Sequence, residues 1–156
     1  MNLASQQNRG GSQGGYRPNN QSSPSIDVSD IRFGADLNPE LFASIAQRNA
    51  KAIAVDGGKK KNNKSTQLRK FYDELVMWHD KVFEHGADRE TRYKELAPFI
   101  KMLCAKVAYA KGRDHVTPGF ETLFSHVIRA INGPDTLKQV KLFIEAFMGF
   151  YKAEER

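Results

Sequence analysis

Beyond residue 37, large apolar side chains recur every three or four positions in five stretches, each bracketed by a polar cap or a Gly/Pro stop. That spacing lines them up on one face of a helix, so five amphipathic helices are predicted. Asn38-Pro39-Glu40 opens the first with a cap residue, a proline at the first helical position and an acid facing the positive helix end. Leu41, Ile45 and Ile53 follow, and Gly57-Gly58 ends the element. The second starts at Asn63 or Ser65 and carries Leu68, Phe71, Tyr72, Leu75, Val76, His79, Val82 and Phe83, with Gly86 where a left-handed C-cap falls. The third begins around Asp88, buries Leu96, Phe99, Ile100, Leu103, Val107 and Ala110, and closes at Gly112. Pro98 marks either a kink in it or its true first turn, with residues 89–95 then a separate short piece. Thr117-Pro118 repeats the cap-then-proline signal, and Phe120, Leu123, Phe124, Val127, Ile128 and Ile131 form a fourth stripe that Gly133-Pro134 stops. Asp135 caps the fifth, with Leu137, Val140, Phe143, Ile144, Phe147, Met148 and Tyr151 in period.

No stretch reads as a strand and no internal repeat is present, so the expected fold is all-α: a compact bundle of about five helices forming one domain over residues 38–156. Residues 1–37 read as a tail and lead-in. In the first 25 positions 17 are Gly, Ser, Asn or Gln, too polar to offset the entropy of ordering, which predicts a flexible, disordered tail. Arg9-Gly10-Gly11 is a single RGG-like element, and Tyr16-Arg17 adds a stacking-capable pair. One copy favours a plain flexible tail over an RNA tether. The lone Cys104 excludes an internal disulfide and suits a reducing compartment. The start of the chain lacks the apolar run of a secretory signal, and Lys101 and Lys106 interrupt the most apolar region, so a cytoplasmic protein without a membrane span is expected.

Charge adds a partner class. The stretch 59–70, KKKNNKSTQLRK, holds six basic residues and no acid, while the rest of the chain balances at 18 of each sign. So local an excess points to a polyanion; the alternative is a solvated basic loop opening a helix. Lys64, Thr66, Gln67, Arg69 and Lys70 surround the start of the second helix, where free backbone N–H groups and the helix dipole already favour an anion. On the third helix Met102, Lys106, Tyr109 and Arg113 are spaced four, three and four residues apart, which makes a ridge beside the buried stripe. With Lys111 this stretch offers phosphate contacts and a ring for a base or ribose. The other reading is that Tyr109 covers the core edge while Lys106 snorkels. Candidate RNA-binding residues are therefore Lys64, Thr66, Gln67, Arg69, Lys70, Lys106, Tyr109, Lys111 and Arg113.

Catalytic constellations are missing from the sequence. No arginine is followed, after four to six intervening residues, by a histidine, as a HEPN-type nuclease requires. His79-Asp80 has no earlier histidine to complete an HD-type metal site, and the spacing of His79 predicts a packed, hydrogen-bonded side chain. His-Glu-x-x-His and P-loop patterns are absent, and His79, His85, His115 and His126 lack metal-ligand spacing. Asp73 and Glu74 diverge by about 100° on a helix and cannot flank one bond. Cys104 reads as an inert small core residue. No catalytic residue, metal or cofactor is expected.

The same stretches carry a resemblance. Asn-Lys-Ser-Thr-Gln-Leu-Arg-Lys-Phe-Tyr-Asp-Glu-Leu (63–75) resembles the helix opening of the small subunit of type III-A CRISPR effector complexes, the Csm small subunit. Residues 100–113, ending Tyr-Ala-Lys-Gly-Arg, resemble its Tyr-x-x-Gly-Arg helix, and residues 137–152 its closing helix. Three motifs in the right order span roughly residues 60–152; the tail and Lys59–Lys61 fall outside. The resemblance implies a non-catalytic helical subunit whose copies line up along the crRNA–target RNA duplex. It implies contacts with other copies, with the crRNA-binding backbone subunit and, at one end, with the large polymerase-like subunit. Lys64, Arg69 and Lys70 match basic positions of the first motif; Tyr109, Gly112 and Arg113 match the second. Two other readings stand beside it: a free-standing helical adaptor whose basic patch meets an acidic protein partner, and an unrecognised helical nuclease.

Overall fold

Cap chemistry sets the helix starts. Thr117 Oγ1 accepts from Phe120 N–H at 3.3 Å and Pro118 occupies the first turn, as the sequence predicts. Asp88 caps the next-best signal, its carboxylate accepting from Glu90 N–H at 3.2 Å. Elsewhere the caps move. Asn38 Oδ1 accepts from Glu40 N–H at 2.9 Å and so fixes a turn; the helix itself begins at Leu41, with the Glu40 side chain accepting from Ser44. Asp135 lies inside the first turn of the last helix. Thr136 Oγ1 instead receives the N–H groups of Asn132 and Gly133, at 2.8 and 3.2 Å.

The computed structural model describes residues 26–58, 62–86 and 88–155. A π-helical turn, Leu41–Ile45, runs into α1 (Ala46–Gly57). Then come α2 (Ser65–Val82), α3 (Arg89–Lys101), α4 (Leu103–Gly112), α5 (Pro118–Ala130) and α6 (Pro134–Glu154), with no strand among the described residues. These make five rods, the third of them jointed. Pro98 sits inside α3 and lacks the N–H that would reach back one turn. The helix lapses one turn later at Met102, whose N–H still bonds Pro98 O and whose carbonyl still accepts from Lys106, each at 3.1 Å.

α6 is the central rod, packed against α1 and α2, while α4 and α5 form a hairpin beside it and α3 lies along α2. Its buried face carries Leu137, Val140, Phe143, Ile144, Phe147 and Tyr151, and α5 contributes Phe120, Leu123, Phe124, Val127 and Ile128. Phe71 of α2 meets Phe120 and Phe124 at ring centroid distances of 5.9 and 5.3 Å. Each fully buried Phe contributes on the order of 2 kcal/mol or more by area alone, so this aromatic cluster holds the bundle together. His79 is packed as expected, stacked on Phe83 at 4.5 Å with Nδ1 on Asp80 at 3.0 Å.

Two sequence expectations are corrected. Residues 26–37 do not hang outside the domain: Ile31 is buried, His126 Nε2 meets its carbonyl at 2.8 Å, and Gln139 pairs with both backbone polar groups of Gly34. Residues 26–37 are therefore part of the packed unit. Phe99 does not belong to the buried stripe of the third rod. It is half exposed, and Tyr93, not foreseen as core, is buried in line with Ile100 and Val107. The expected disordered tail, its RGG element and Tyr16-Arg17, together with Lys59–Lys61, lie outside the described residues.

Candidate nucleic-acid interface

α2 begins at a buried polar junction. Asn63 has φ +54°, a left-handed conformation that asparagine tolerates better than most residues. Its amide donates to Thr117 Oγ1 and accepts from Thr117 N–H, both at 2.8 Å, and its carbonyl accepts from the Tyr151 hydroxyl. This junction fixes the α1–α2 loop against the α4–α5 loop and α6, and so sets where the α2 cations stand. Lys64 follows as the N-cap residue, exposed, with its carbonyl taking the N–H groups of Gln67 and Leu68.

The α2 residues then divide between two grooves. Thr66 and Arg69 face α6 and share a groove of about 440 Å³ with Ser65, Met148, Gly149 and Lys152. Gln67 and Lys70 face α4 and share a groove of about 380 Å³ with Phe71, Glu74, Lys106, Tyr109 and His115. Helical geometry explains the split, since neighbouring residues point about 100° apart. In the second groove Lys106 is salt-bridged to Glu74. Tyr109 is 66 % exposed, so it does not cover the core edge. Arg113 donates to the Tyr109 hydroxyl at 3.0 Å with its guanidinium carbon 5.7 Å from the ring centroid, which braces ring and cation together.

Two candidates, and the helix start itself, behave differently from the pattern read in the sequence. Lys111 lies on the far side of α4, about 200° from Tyr109, and pairs with Glu121 of α5 at 2.7 Å. Arg69 is within 3.7 Å of Asp73, which offsets part of its charge. The first N–H of α2 is occupied, because Ser65 donates to Glu155 Oε1 at 3.2 Å and Glu155 also takes Lys152 at 3.0 Å. Burial works against the Glu155 carboxylate, but those hydrogen bonds from Lys152 and Ser65 outweigh it and hold its pKa below the ordinary value. A phosphate approaching the start of α2 competes with this internal carboxylate. Among the described residues, Lys64 and Lys70 have no ion-pair partner, and no group of three or more His, Cys, Asp or Glu is placed to hold a metal.

A family model described as Csm2 Type III-A matches residues 37–156. The chain belongs to the Csm2 family. No curated protein and no solved structure matches it. Csm2 is the small structural subunit of type III-A CRISPR effector complexes, which act in antiviral defence with other Csm subunits and crRNA. Among the described residues, no helix of this Csm2 chain is long and apolar enough to cross a membrane.

Lys152 and His115 line the two Csm2 grooves but escaped the sequence reading. Lys152 is the last residue of the closing-helix motif, a usable signal; His115 has none. Gly112 of the Tyr-x-x-Gly-Arg motif serves neither backbone strain nor packing. The left-handed turn falls on Asp114 at φ +57°, and a Cβ on Gly112 meets nothing within 4 Å. Lys101, one of the four cations of this stretch, is structural: its ammonium donates to the carbonyls of Ile128, Arg129 and Ile131 at 2.8, 3.1 and 2.5 Å, closing the end of α5.

Proposed function

We propose that this Csm2 chain is a non-catalytic binder of RNA backbone, holding the crRNA–target RNA duplex along the start of α2 and the α2–α4 groove without regard to sequence. The observation that carries the reading is the convergence of Gln67 and Lys70 with Lys106 and Tyr109, from helices far apart in sequence, on one groove. Such a surface offers cations, an amide and a ring to phosphate and sugar, and no set of donors and acceptors arranged for base edges. Copies of the chain line up along the duplex, touching one another, the crRNA-binding backbone subunit and the large polymerase-like subunit. Cleavage belongs to another subunit, and the place of action is the cytoplasm. Binding phosphate this way calls for no metal or cofactor in the chain.

The test is salt-dependent binding of the wild type and of Lys64→Gln/Arg69→Gln/Lys70→Gln to two RNAs of unrelated sequence. The triple variant is expected to bind both more weakly to the same degree. With single-stranded RNAs its plot of log affinity against log salt should flatten by roughly 0.7 for each phosphate that the variant no longer engages. An unchanged slope makes these side chains a solvated helix end, and a loss confined to one RNA means base readout; either result overturns the reading.

A further inference from the structure

We propose that Phe99 and Trp78, with Met102, form a stacking platform for unpaired nucleobases at the far end of the α2–α4 groove. The proposal rests on the RNA-binding reading above and adds to it a site for the bases themselves. Phe99 leaves the core because α3 turns Ile100, not Phe99, inward; Ile100 is fully buried while Phe99 is 50 % exposed. One face of its ring is taken by the Trp78 indole, at 5.7 Å between centroids and 17° between planes. Beside that stack, half of the Phe99 surface stays open to solvent. Lys81 Nζ lies 5.1 Å from the Trp78 ring centroid and helps hold that indole in place. Met102, three residues on and 52 % exposed, extends the apolar surface with a polarizable thioether.

The platform is continuous with the groove. Phe99, Met102, Lys106, Tyr109 and Arg113 are spaced three, four, three and four residues apart, one exposed ridge along α3 and α4. Opposite it on α2 stand Trp78, Glu74 and Lys70 in antiparallel order, tied across by the Trp78–Phe99 stack and the Lys106–Glu74 bridge. The ridge thus alternates open rings with cations, the arrangement that carries a single strand by base stacking and phosphate contact. Size favours a base over a protein partner. Two rings and one thioether offer far less than the roughly 800 Å² per partner that a stable protein interface covers. Stacking uses the π-face that every base possesses, so the platform keeps the sequence tolerance of the groove.

Trp78 is the single tryptophan of the chain, which makes its fluorescence a local reporter. The full chain and its Phe99→Leu variant would be titrated with single-stranded oligouridylate, single-stranded oligoadenylate and a blunt RNA duplex. Single strands are expected to change the Trp78 emission, and Phe99→Leu to weaken their binding about fivefold or more, since a stacked base is worth roughly 1–3 kcal/mol. The salt slope should stay unchanged, because every cation keeps its phosphate, and duplex affinity should not move. Equal affinity of variant and wild type for single strands overturns the platform alone. So does a loss shared equally with the duplex. Unchanged RNA affinity together with failure to co-purify other effector subunits makes the patch a protein-binding surface and also overturns it. A wild type that binds neither RNA removes the groove reading and the platform with it.

Discussion

Asn63 and Thr117 exchange two hydrogen bonds across 54 residues of sequence, Nδ2 to Oγ1 and Thr117 N–H to Oδ1, both at 2.8 Å. Both residues are buried, so neither bond has water as a substitute. One amide thereby couples the first residue of the α2 motif to the cap of α5, and through its backbone carbonyl to Tyr151 of α6. The positions of the α2 cations depend on this junction, although Asn63 itself is too deep to touch a ligand.

Asn63→Ala is expected to destabilise the fold by about 3 kcal/mol. The Thr117 N–H is left buried without a partner, and alanine must hold a left-handed backbone. Asn63→Gly should recover roughly 1 kcal/mol of that, because glycine removes the strain but does not restore the hydrogen bonds. Urea unfolding of the three proteins measures both effects. A wild-type-like Asn63→Ala would mean that the junction contributes nothing.

Lys101 yields a prediction that separates structure from binding. Burial draws its pKa below the ordinary lysine value, a cost that three α5 carbonyls and the helix dipole offset. Lys101→Met should cost about 2 kcal/mol of stability by removing three charge-assisted hydrogen bonds, although Ile128 O keeps the Ile131 N–H and Ile131 O the Tyr93 hydroxyl, with RNA affinity and salt slope unchanged. A flattened salt slope would place Lys101 on the RNA instead.

The helices were legible because each buried stripe recurs locally. Leu137 through Tyr151, and Phe120 through Ile131, could be read off a 3.6-residue period and are buried as read, except for Met148, which is only partly buried. Phe99 misled because it adjoins Ile100 and falls within the same arc of the wheel. The tertiary packing of α3 turns Ile100 inward and leaves Phe99 outside, against Trp78. The packing of residues 26–37 had no local signal either, since Ile31 and Gly34 are held by His126 and Gln139, 95 and 105 residues away. The candidate groove was half legible. Spacing put Lys106, Tyr109 and Arg113 on one face, but Glu74 on another helix and Glu121 on a third decide which α4 cations meet an acid.

Tyr151 predicts how stability responds to alkali. Burial, with Glu155 nearby, pushes its phenol up to about 12. The unfolded chain loses this proton near pH 10, so between that pH and about 12 the folded state binds more protons and stability falls as pH rises. The contribution is complete below pH 10, and roughly 3 kcal/mol is lost across the window. Tyr72 and Tyr93 are also pushed up by burial, so some slope remains without Tyr151. Urea unfolding at pH 9 and pH 11 should show a smaller drop for Tyr151→Phe than for wild type. Equal drops would mean that the hydroxyl is free to ionise in the fold.

Lys106 and Lys111 stand five residues apart on one helix, yet they predict opposite results. Lys106 opens into the α2–α4 groove but is salt-bridged to Glu74, whose carboxylate also repels phosphate. Glu74→Gln should therefore tighten RNA binding roughly two- to fivefold, in keeping with the modest worth of a partly exposed charge pair. It should also steepen the salt slope by up to about 0.7 as Lys106 takes up a phosphate. Lys111 points away and pairs with Glu121, so Lys111→Gln should leave affinity and slope alone for every RNA, costing at most about 1 kcal/mol of stability. Binding curves at several salt concentrations for the two single variants are sufficient. No gain from Glu74→Gln would show that phosphate does not enter the groove beside Lys106. A uniform loss from Lys111→Gln would extend the RNA surface around α4 to its α5 side, where the bundle presents Glu121 rather than a second cation.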